Sequence, residues 1–446
     1  MSFKDNQNRK VLIIGLDGVP YSFIRHLLET KKNKFPNFTK LFENGAHSHI
    51  KSVLPTVSGV AWTAIFTGKN PAKFGVFGFL DLKKDYTPYI PNAISLKAEN
   101  ILDILSQEGK RVISLGVPMT YPPKTVNGIC VGGFLTPILN KGVFPKSFLP
   151  VLEEEKYIVD INPMKARESL DYFTKELTRV FEARKNTMIR LIKEESWDFF
   201  ITHFIDTDRI NHFLWHYYQE KGSKYKDYFF EFYQKIDNML GKVLDLIDEN
   251  TILIILSDHG FCKTNKEIQL NYWLKENGYL KFKVENPKSF KDIDEKSLAF
   301  SLTPGRIYIH TDIWKEGRVA IEESGQIVKE IIEKLSKVKD PETQQIIFKD
   351  IYRREEYYSG KYINEAPEII IKPVDGYELK AKLNANKFFN PPDMPGIHTY
   401  DDAMIALNKK FRLKENIIIY DVFPTVLEIL GVKLPENIDG ESIFQG

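Results

Sequence analysis

The sequence predicts an α/β fold: a mostly parallel sheet sandwiched by helices, interrupted by a small α+β unit. Three observations carry this. Short, continuous apolar runs rich in β-branched residues alternate with helical stretches, the pattern of strands buried on both faces of a parallel sheet with right-handed crossovers. Several runs stop at Asp or Asp-His, where open parallel sheets bind their ligands. Residues 263–390 read differently, as a β-α-β-α-β order.

Taken in order, Val11–Leu16 is the first such run, ended by Asp17-Gly18. A helix is predicted over Ala98–Gly109, followed by a strand over Arg111–Gly116. A helix over Glu168–Glu195 precedes a strand over Trp197–His203, and a helix over Lys224–Glu249 precedes a strand over Thr251–Leu256. The differing stretch carries a strand over Arg306–His310, a helix over Val319–Leu335 and a strand over Gln344–Ile351. A short helix over Arg353–Tyr358 and a strand over Glu368–Lys372 complete it. From Asn416 on, strand-turn-helix returns to the core. Residues 1–262 are then the first part of a core, 263–390 an inserted cap and 391–446 the final part of the core.

Composition excludes more than it suggests. The 446 residues carry 62 Lys and Arg against 60 Asp and Glu, a net charge of +2, which leaves no electrostatic footprint for a nucleic acid polymer. Hydrophobic residues make up 43%, too many for a disordered chain. Two cysteines, Cys130 and Cys262, cannot build a disulfide framework or a Cys-ligated zinc site. No apolar run has the length of a membrane span, and Met1–Lys10 is polar, so the expected location is the cytoplasm.

Three strand ends bear groups able to hold a metal or move a proton: Asp17, the Asp206/Asp208 pair, and Asp258-His259. Imidazole with carboxylate suits zinc, manganese or iron. Gly260 permits a sharp turn that would let Asp258 and His259 reach one ion. Asp208 and His212 are spaced i, i+4 and share a face if a helix begins near Asp206. His212 and His216 share that spacing too, and His203 and Asp206 are close by, so the residues alone leave the choice open. His398, in Gly396-Ile397-His398-Thr399, is weak alone. Ser58 lies in the hydroxyl-rich stretch Leu54–Thr63. It fits an N-cap for a helix through Phe66 that stops at Gly68, and a nucleophile there faces amides and a dipole that favour phosphate. An unaided Ser is a poor nucleophile; a metal makes it a good one.

The ordered set of these pieces resembles the alkaline phosphatase superfamily, nearest to its type I phosphodiesterase/nucleotide pyrophosphatase branch. The matching pieces are Asp17-Gly18, Pro55-Thr56-x-Ser58, Thr67-Gly68-x-Asn70-Pro71 with Gly75, Asp208-x-x-x-His212, Ser257-Asp258-His259-Gly260 and Gly396-x-His398. The tail adds Asp421–Leu427, Leu430-Gly431 and Asp439-Gly440. The resemblance implies an alkaline phosphatase-like fold and two divalent ions, zinc first, with manganese or iron as alternatives. One site would use Asp17, Ser58, Asp258 and His259, and the other Asp208, His212 and His398. Asp206 and His216 become supporting or structural groups. Ser58 would attack phosphorus and form a phospho-enzyme, and water would release it.

The chain also departs from the branch. The nucleophile is usually Thr followed by Phe-Pro-Asn-His; here Ser58 is followed by Gly59-Val60-Ala61-Trp62. The phosphoryl-binding Asn is thus absent from its usual place, and the Gly59 amide or Thr63 is the expected substitute. Lys73-Phe74-Gly75 stands where relatives often carry His-Gly. The sulfatase pattern fails, because its Pro and Arg places hold Val60 and Trp62. The expectation is a phosphoester hydrolase acting on a small substrate, a diesterase before a monoesterase. A phosphoryl or head-group transferase, a phosphonate hydrolase and a non-catalytic, metal-stabilised binding protein are the alternatives. The seven candidate ligands argue against the last.

Overall fold

The computed structural model describes residues 9–220 and 222–445. Eight strands form the central sheet, in the spatial order Ala46–Ile50, Ala403–Leu407, Thr251–Leu256, Lys10–Leu16, Phe199–Phe204, Val112–Val117, Gly128–Gly132, Val143–Phe144. The five from Thr251–Leu256 to Gly128–Gly132 run parallel. Ala403–Leu407 is antiparallel to both of its neighbours, and Val143–Phe144 to its one.

The apolar runs form strands here because both faces are covered. Along Lys10–Leu16, Leu12, Ile14 and Leu16 enter one hydrophobic cluster, and Val11 and Ile13 enter another. The first cluster is built with the helices Tyr21–Lys31, Pro36–Asn44, Leu170–Glu194 and Lys224–Leu246. The second is built with Ser58–Thr67, Ile101–Gln107 and Val422–Ile429. Each fully buried aliphatic side chain in such a strand stabilises the fold by about 1.5–3 kcal/mol.

A third cluster gathers residues 268–379 together with Leu82 and Tyr86. It covers a four-stranded antiparallel sheet in the order Ala299–Leu302, Arg306–Ile309, Ile369–Pro373, Phe348–Arg353, with the helix Ile321–Leu335. Lys266–Gln269 pairs with Tyr377–Lys380 and Phe389–Asn390 in a smaller sheet.

Several predicted bounds shift for local reasons. The helix expected from Ala98 starts at Ile101 because Asn100 Oδ1 accepts from the amides of Leu102 and Asp103. The helix expected from Glu168 starts at Leu170 because Ser169 Oγ accepts from the Tyr172 amide. The strand expected from Gln344 begins at Phe348, since Asp340 Oδ1 takes the Glu342 amide and holds a turn. The strand expected near Asn416 is a single parallel bridge, Lys51 to Ile418. There Asp421 Oδ2 accepts from the Ile418 amide and starts a helical turn.

Register decides where the polar strand ends lie. Leu16 pairs with Phe204 and Gly15 with Leu256, so Asp17, residues 205–208 and residues 257–259 leave one edge of three adjacent strands. Behind this edge Asp206 pairs with the buried Arg184, whose other amine donates to Val159 O at 2.6 Å. Arg184→Met should lower stability by about 3–5 kcal/mol, because Asp206 is left buried without its partner. Arg184→Met with Asp206→Leu should recover most of that, and urea denaturation midpoints measure both.

Candidate metal and active site

Asp17 stands at the middle of the site. Its Oδ2 accepts from Trp62 Nε1 at 3.0 Å and faces His203 Nε2 at 2.6 Å. Its Oδ1 accepts from Ser58 Oγ at 3.1 Å and lies 3.3 Å from His259 Nε2. Burial alone would raise this carboxyl, but hydrogen bonds with His203 and His259 outweigh it and hold Asp17 well below the usual carboxylate range. Burial, followed by the Asp17 charge, pushes Asp258 the other way, well above it. Asp258 Oδ1 accepts from the Gly18 amide at 3.2 Å, and its Oδ2 has no hydrogen-bond partner among the described residues.

Asp208 and His212 share a face of the helix Asp206–Leu214, as their spacing predicts, with His212 Nε2 3.4 Å from Asp208 Oδ1. His398 comes from the strand Gly396–Thr399, paired antiparallel with Gly260–Lys263, and its Nε2 is 3.1 Å from the same Oδ1. Burial would raise Asp208, but His212 and His398 hold it down to about 2. Burial also depresses His212, to about 4.

The imidazoles are oriented by carbonyls. The Nδ1 atoms of His212, His398 and His259 face Gly396 O at 2.9 Å, Thr56 O at 3.0 Å and Gly260 O at 3.0 Å. A carbonyl can only accept, so each Nδ1 carries a proton, and it is Nε2 of each ring that is left to face the carboxylates or, once deprotonated, to offer a lone pair to a cation. His212 Nε2 and His398 Nε2 lie 3.0 Å apart, close enough for both to ligate one cation. Ligand atoms of Asp208, His212 and His398 come within 4.8 Å of one another, as do those of Asp17, Asp208 and His259, so Asp208 belongs to both groups. With Asp258 Oδ2, which has no hydrogen bond among the described residues and lies 3.5 Å from His259 Nε2, this donor set fits hard or borderline divalent cations.

Ser58 is the first residue of the helix Ser58–Thr67 and lines a cleft of about 660 Å³ with Asp208, His212 and His398. It does not cap that helix: extended Val57 takes the cap position, and the Ser58 hydroxyl points to Asp17, 3.4 Å from His259 Nε2. Gly260 is needed for space rather than for a turn, since a Cβ there would lie 2.5 Å from Thr399 Oγ1. Gly59 follows Ser58 on the helix, but the buried Thr63 spends its hydroxyl on Gly59 O at 2.7 Å. His216 stands past the helix end, its ring against Tyr217.

Sequence reasoning missed Trp62 as a partner of Asp17, although Trp62 lies i+4 from Ser58 on one helix and so shares its face. His203 was in view without a role. Gly15 belongs with them: a Cβ there would sit 2.2 Å from the Trp62 indole. Tyr357 and Tyr358 were also missed. Leu54 N donates to Tyr357 Oη at 2.9 Å and Tyr358 Oη donates to Leu54 O at 2.8 Å, clamping the segment that leads to Ser58. Lys73, the departure near Gly75, pairs with Asp439 at 2.6 Å and ties the tail to the short helix Pro71–Phe74 that follows the Ser58 helix.

A model of the type I phosphodiesterase/nucleotide pyrophosphatase family matches residues 11–401. No curated protein matches the sequence. Among solved structures, phosphonoacetate hydrolase from Sinorhizobium meliloti 1021, in complex with phosphonoformate, aligns with a TM-score of 0.65 at 15% identity, covering 95% of each chain. Murine ectonucleotide pyrophosphatase/phosphodiesterase 5 aligns with a TM-score of 0.57 at 14% identity, covering 97% of this chain and 98% of that one. The human counterpart gives 0.56 at 16% identity, covering 96% and 97%. At these identities the likeness is one of fold, the expected alkaline phosphatase-like sheet.

If Trp62 Nε1 fixes Asp17 for metal binding, Trp62→Phe should keep the fold and weaken zinc binding about 10–100-fold at the site that uses Asp17. Competition against a chelating dye measures it; unchanged affinity removes that role.

Proposed function

The chain belongs to the type I phosphodiesterase/nucleotide pyrophosphatase family, a metal-dependent family of phosphoester hydrolases, and we propose that it is a two-metal phosphodiesterase working through a Ser58 phospho-enzyme. The observation that supports this is Ser58 Oγ, 3.1 Å from Asp17 Oδ1 and 3.4 Å from His259 Nε2, at the meeting of two groups of convergent ligands.

Asp17, Ser58, Asp258 and His259 would hold one divalent ion, and Asp208, His212 and His398 a second, with Asp208 placed toward both. Two such ions, zinc first with manganese or iron as alternatives, would lower the Ser58 hydroxyl pKa and neutralise the phosphoryl oxygens. The hydroxyl proton passes to solvent as Oγ bonds to phosphorus; Asp17 Oδ1, held too far down to serve as a base, accepts the Ser58 hydrogen bond beforehand and aims Oγ. The ester P–O bond opposite breaks, and the departing alkoxide takes up a proton. Water then attacks phosphorus, the Oγ–P bond breaks, and Ser58 regains its proton. His203 and Trp62 keep Asp17 in place throughout. The Gly59 amide is the remaining candidate for a phosphoryl oxygen, since Thr63 bonds to its own helix.

Residues 1–262 and 391–446 are read as the core and 263–390 as a cap, a division that the hydrophobic cluster over 268–379 supports. A small phosphoester is the expected substrate, and the cytoplasm the expected compartment. No helix among the described residues is long and apolar enough to cross a membrane. Phosphonate hydrolysis is the second reading, favoured by the fold neighbour phosphonoacetate hydrolase. A panel of monoesters, diesters, pyrophosphates and phosphonates with zinc and manganese decides between them.

Ser58→Ala should abolish hydrolysis of bis-p-nitrophenyl phosphate while metal content stays nearly intact; full activity in that variant removes the mechanism. His398→Ala should lose about half the bound metal, as expected for one ion of a pair. Elemental analysis with unchanged stoichiometry would sink the ligand assignment.

A further inference from the structure

Beside the Ser58 cleft lies a second groove of about 220 Å³. Phe79, Phe134 and Leu135 line both, and the rings of Phe79 and Phe134 stack with centroids 6.4 Å apart. Gly59, next to Ser58, contributes to the groove wall with Ile90, Met119 and Pro137. Among the described residues that line it none is charged, and the amide oxygen of Asn92 already accepts from Ile94 N at 2.9 Å. Met119 and Leu135 hold left-handed backbone, with φ of 62° and 69°, at a cost of about 1–3 kcal/mol each for such bulky residues. The rim is apolar and open: Phe79, Ile90 and Leu135 are exposed, as are Ile94 and Ile138 in the same two segments. Apolar surface gathered this way marks a binding surface.

We propose that this groove binds a hydrocarbon chain carried by the substrate, so that the preferred substrates are amphiphilic phosphoesters. The charged phosphoryl group sits at Ser58 and the chain runs over the Phe79–Phe134 stack into the groove. The proposal rests on the reading of Ser58 as nucleophile. The walls are mainly carbon, with the Asn92 amide and the Tyr121 hydroxyl as their polar side-chain groups, so a sugar or nucleobase would leave most of its polar groups unpaired, whereas a hydrocarbon chain loses little there. Continuity identifies the occupant as part of the substrate: three shared residues join cleft and groove, so a group esterified to phosphorus beside Ser58 meets this surface first.

The test uses the zinc-loaded full chain and 4-nitrophenyl phosphodiesters whose second ester group is methyl, butyl or octyl, each below its micelle concentration. kcat/KM should rise at least tenfold from methyl to octyl. In Ile90→Asp and Leu135→Asp the octyl-to-methyl ratio should fall to near one. Both positions are open, 46% and 44% exposed, and Asp accepts the left-handed backbone at 135, so folding is preserved. Hydrolysis of the methyl ester with no gain along the series overturns the groove and leaves the hydrolase reading standing. A gain that both variants retain also overturns it. No hydrolysis of any ester overturns the hydrolase reading and the groove with it.

Discussion

Asp17, Asp208 and Asp258 are buried side by side at the ends of adjacent structural segments, and their mutual repulsion is the constraint that the surrounding structure answers. Buried carboxylates are costly unless paired, protonated or ligated. The protein uses imidazoles for part of the answer. His203 and His259 stabilise the charge on Asp17, and His212 and His398 stabilise the charge on Asp208. Burial first and the Asp17 charge second push the Asp258 carboxyl up, while its neighbours are pushed down. Pairs of groups driven apart in this way mark sites where charge is managed for chemistry.

The fold delivers these groups from far apart in the chain. Asp17 and Asp258 follow neighbouring parallel strands, while Asp208 sits in the first turn of the helix that follows a third. His398 is brought in by a short strand pairing, Phe261 opposite His398, and is fixed by Thr56 O, two residues before Ser58. Tyr357 and Tyr358 hold the backbone of Leu54 just upstream. The tail contributes again through Asp439, whose carboxylate receives the Asn70 amide and Lys73. The Ser58 segment is therefore gripped from the middle and the end of the chain, and its position depends on long-range contacts more than on its own turn.

Much of this could be read in the sequence, because strand ends are local. The runs Val11–Leu16 and Ile252–Leu256 are apolar at every position, and the i, i+4 spacing of Asp208 and His212 needs only one helix. Short antiparallel strands such as Ala46–Ile50 and Ala403–Leu407 escaped notice. The first, Ala-His-Ser-His-Ile, is largely polar, and the second, Ala-Met-Ile-Ala-Leu, has a single β-branched residue. Cap bonds also displaced boundaries, as at Asn100 and Ser169. The role of Trp62 was hidden for another reason. An indole in a buried helix reads as packing, and its single donor gains meaning only once Asp17 is beside it. Gly15 fits the same account: its missing side chain makes room for the ring.

The near-neutral composition acquires a local meaning at the cleft. Its basic side chains are already engaged: Arg167 with Asp393, Arg209 with Asp160 and Asp208, Lys372 with Asp401, and Lys380 with Glu378. Neighbouring carboxylates cancel most of the pull that these cations would exert on a phosphoester. The acids around Ser58 would repel the same anion. On the proposed reading, the attraction for substrate must come from the ions themselves, since bound divalent cations are the largest charges in such a site and invert its sign. The apolar walls strengthen that effect by lowering the local dielectric. Substrate affinity and metal occupancy are then one property, and loss of either ligand group weakens binding as well as chemistry.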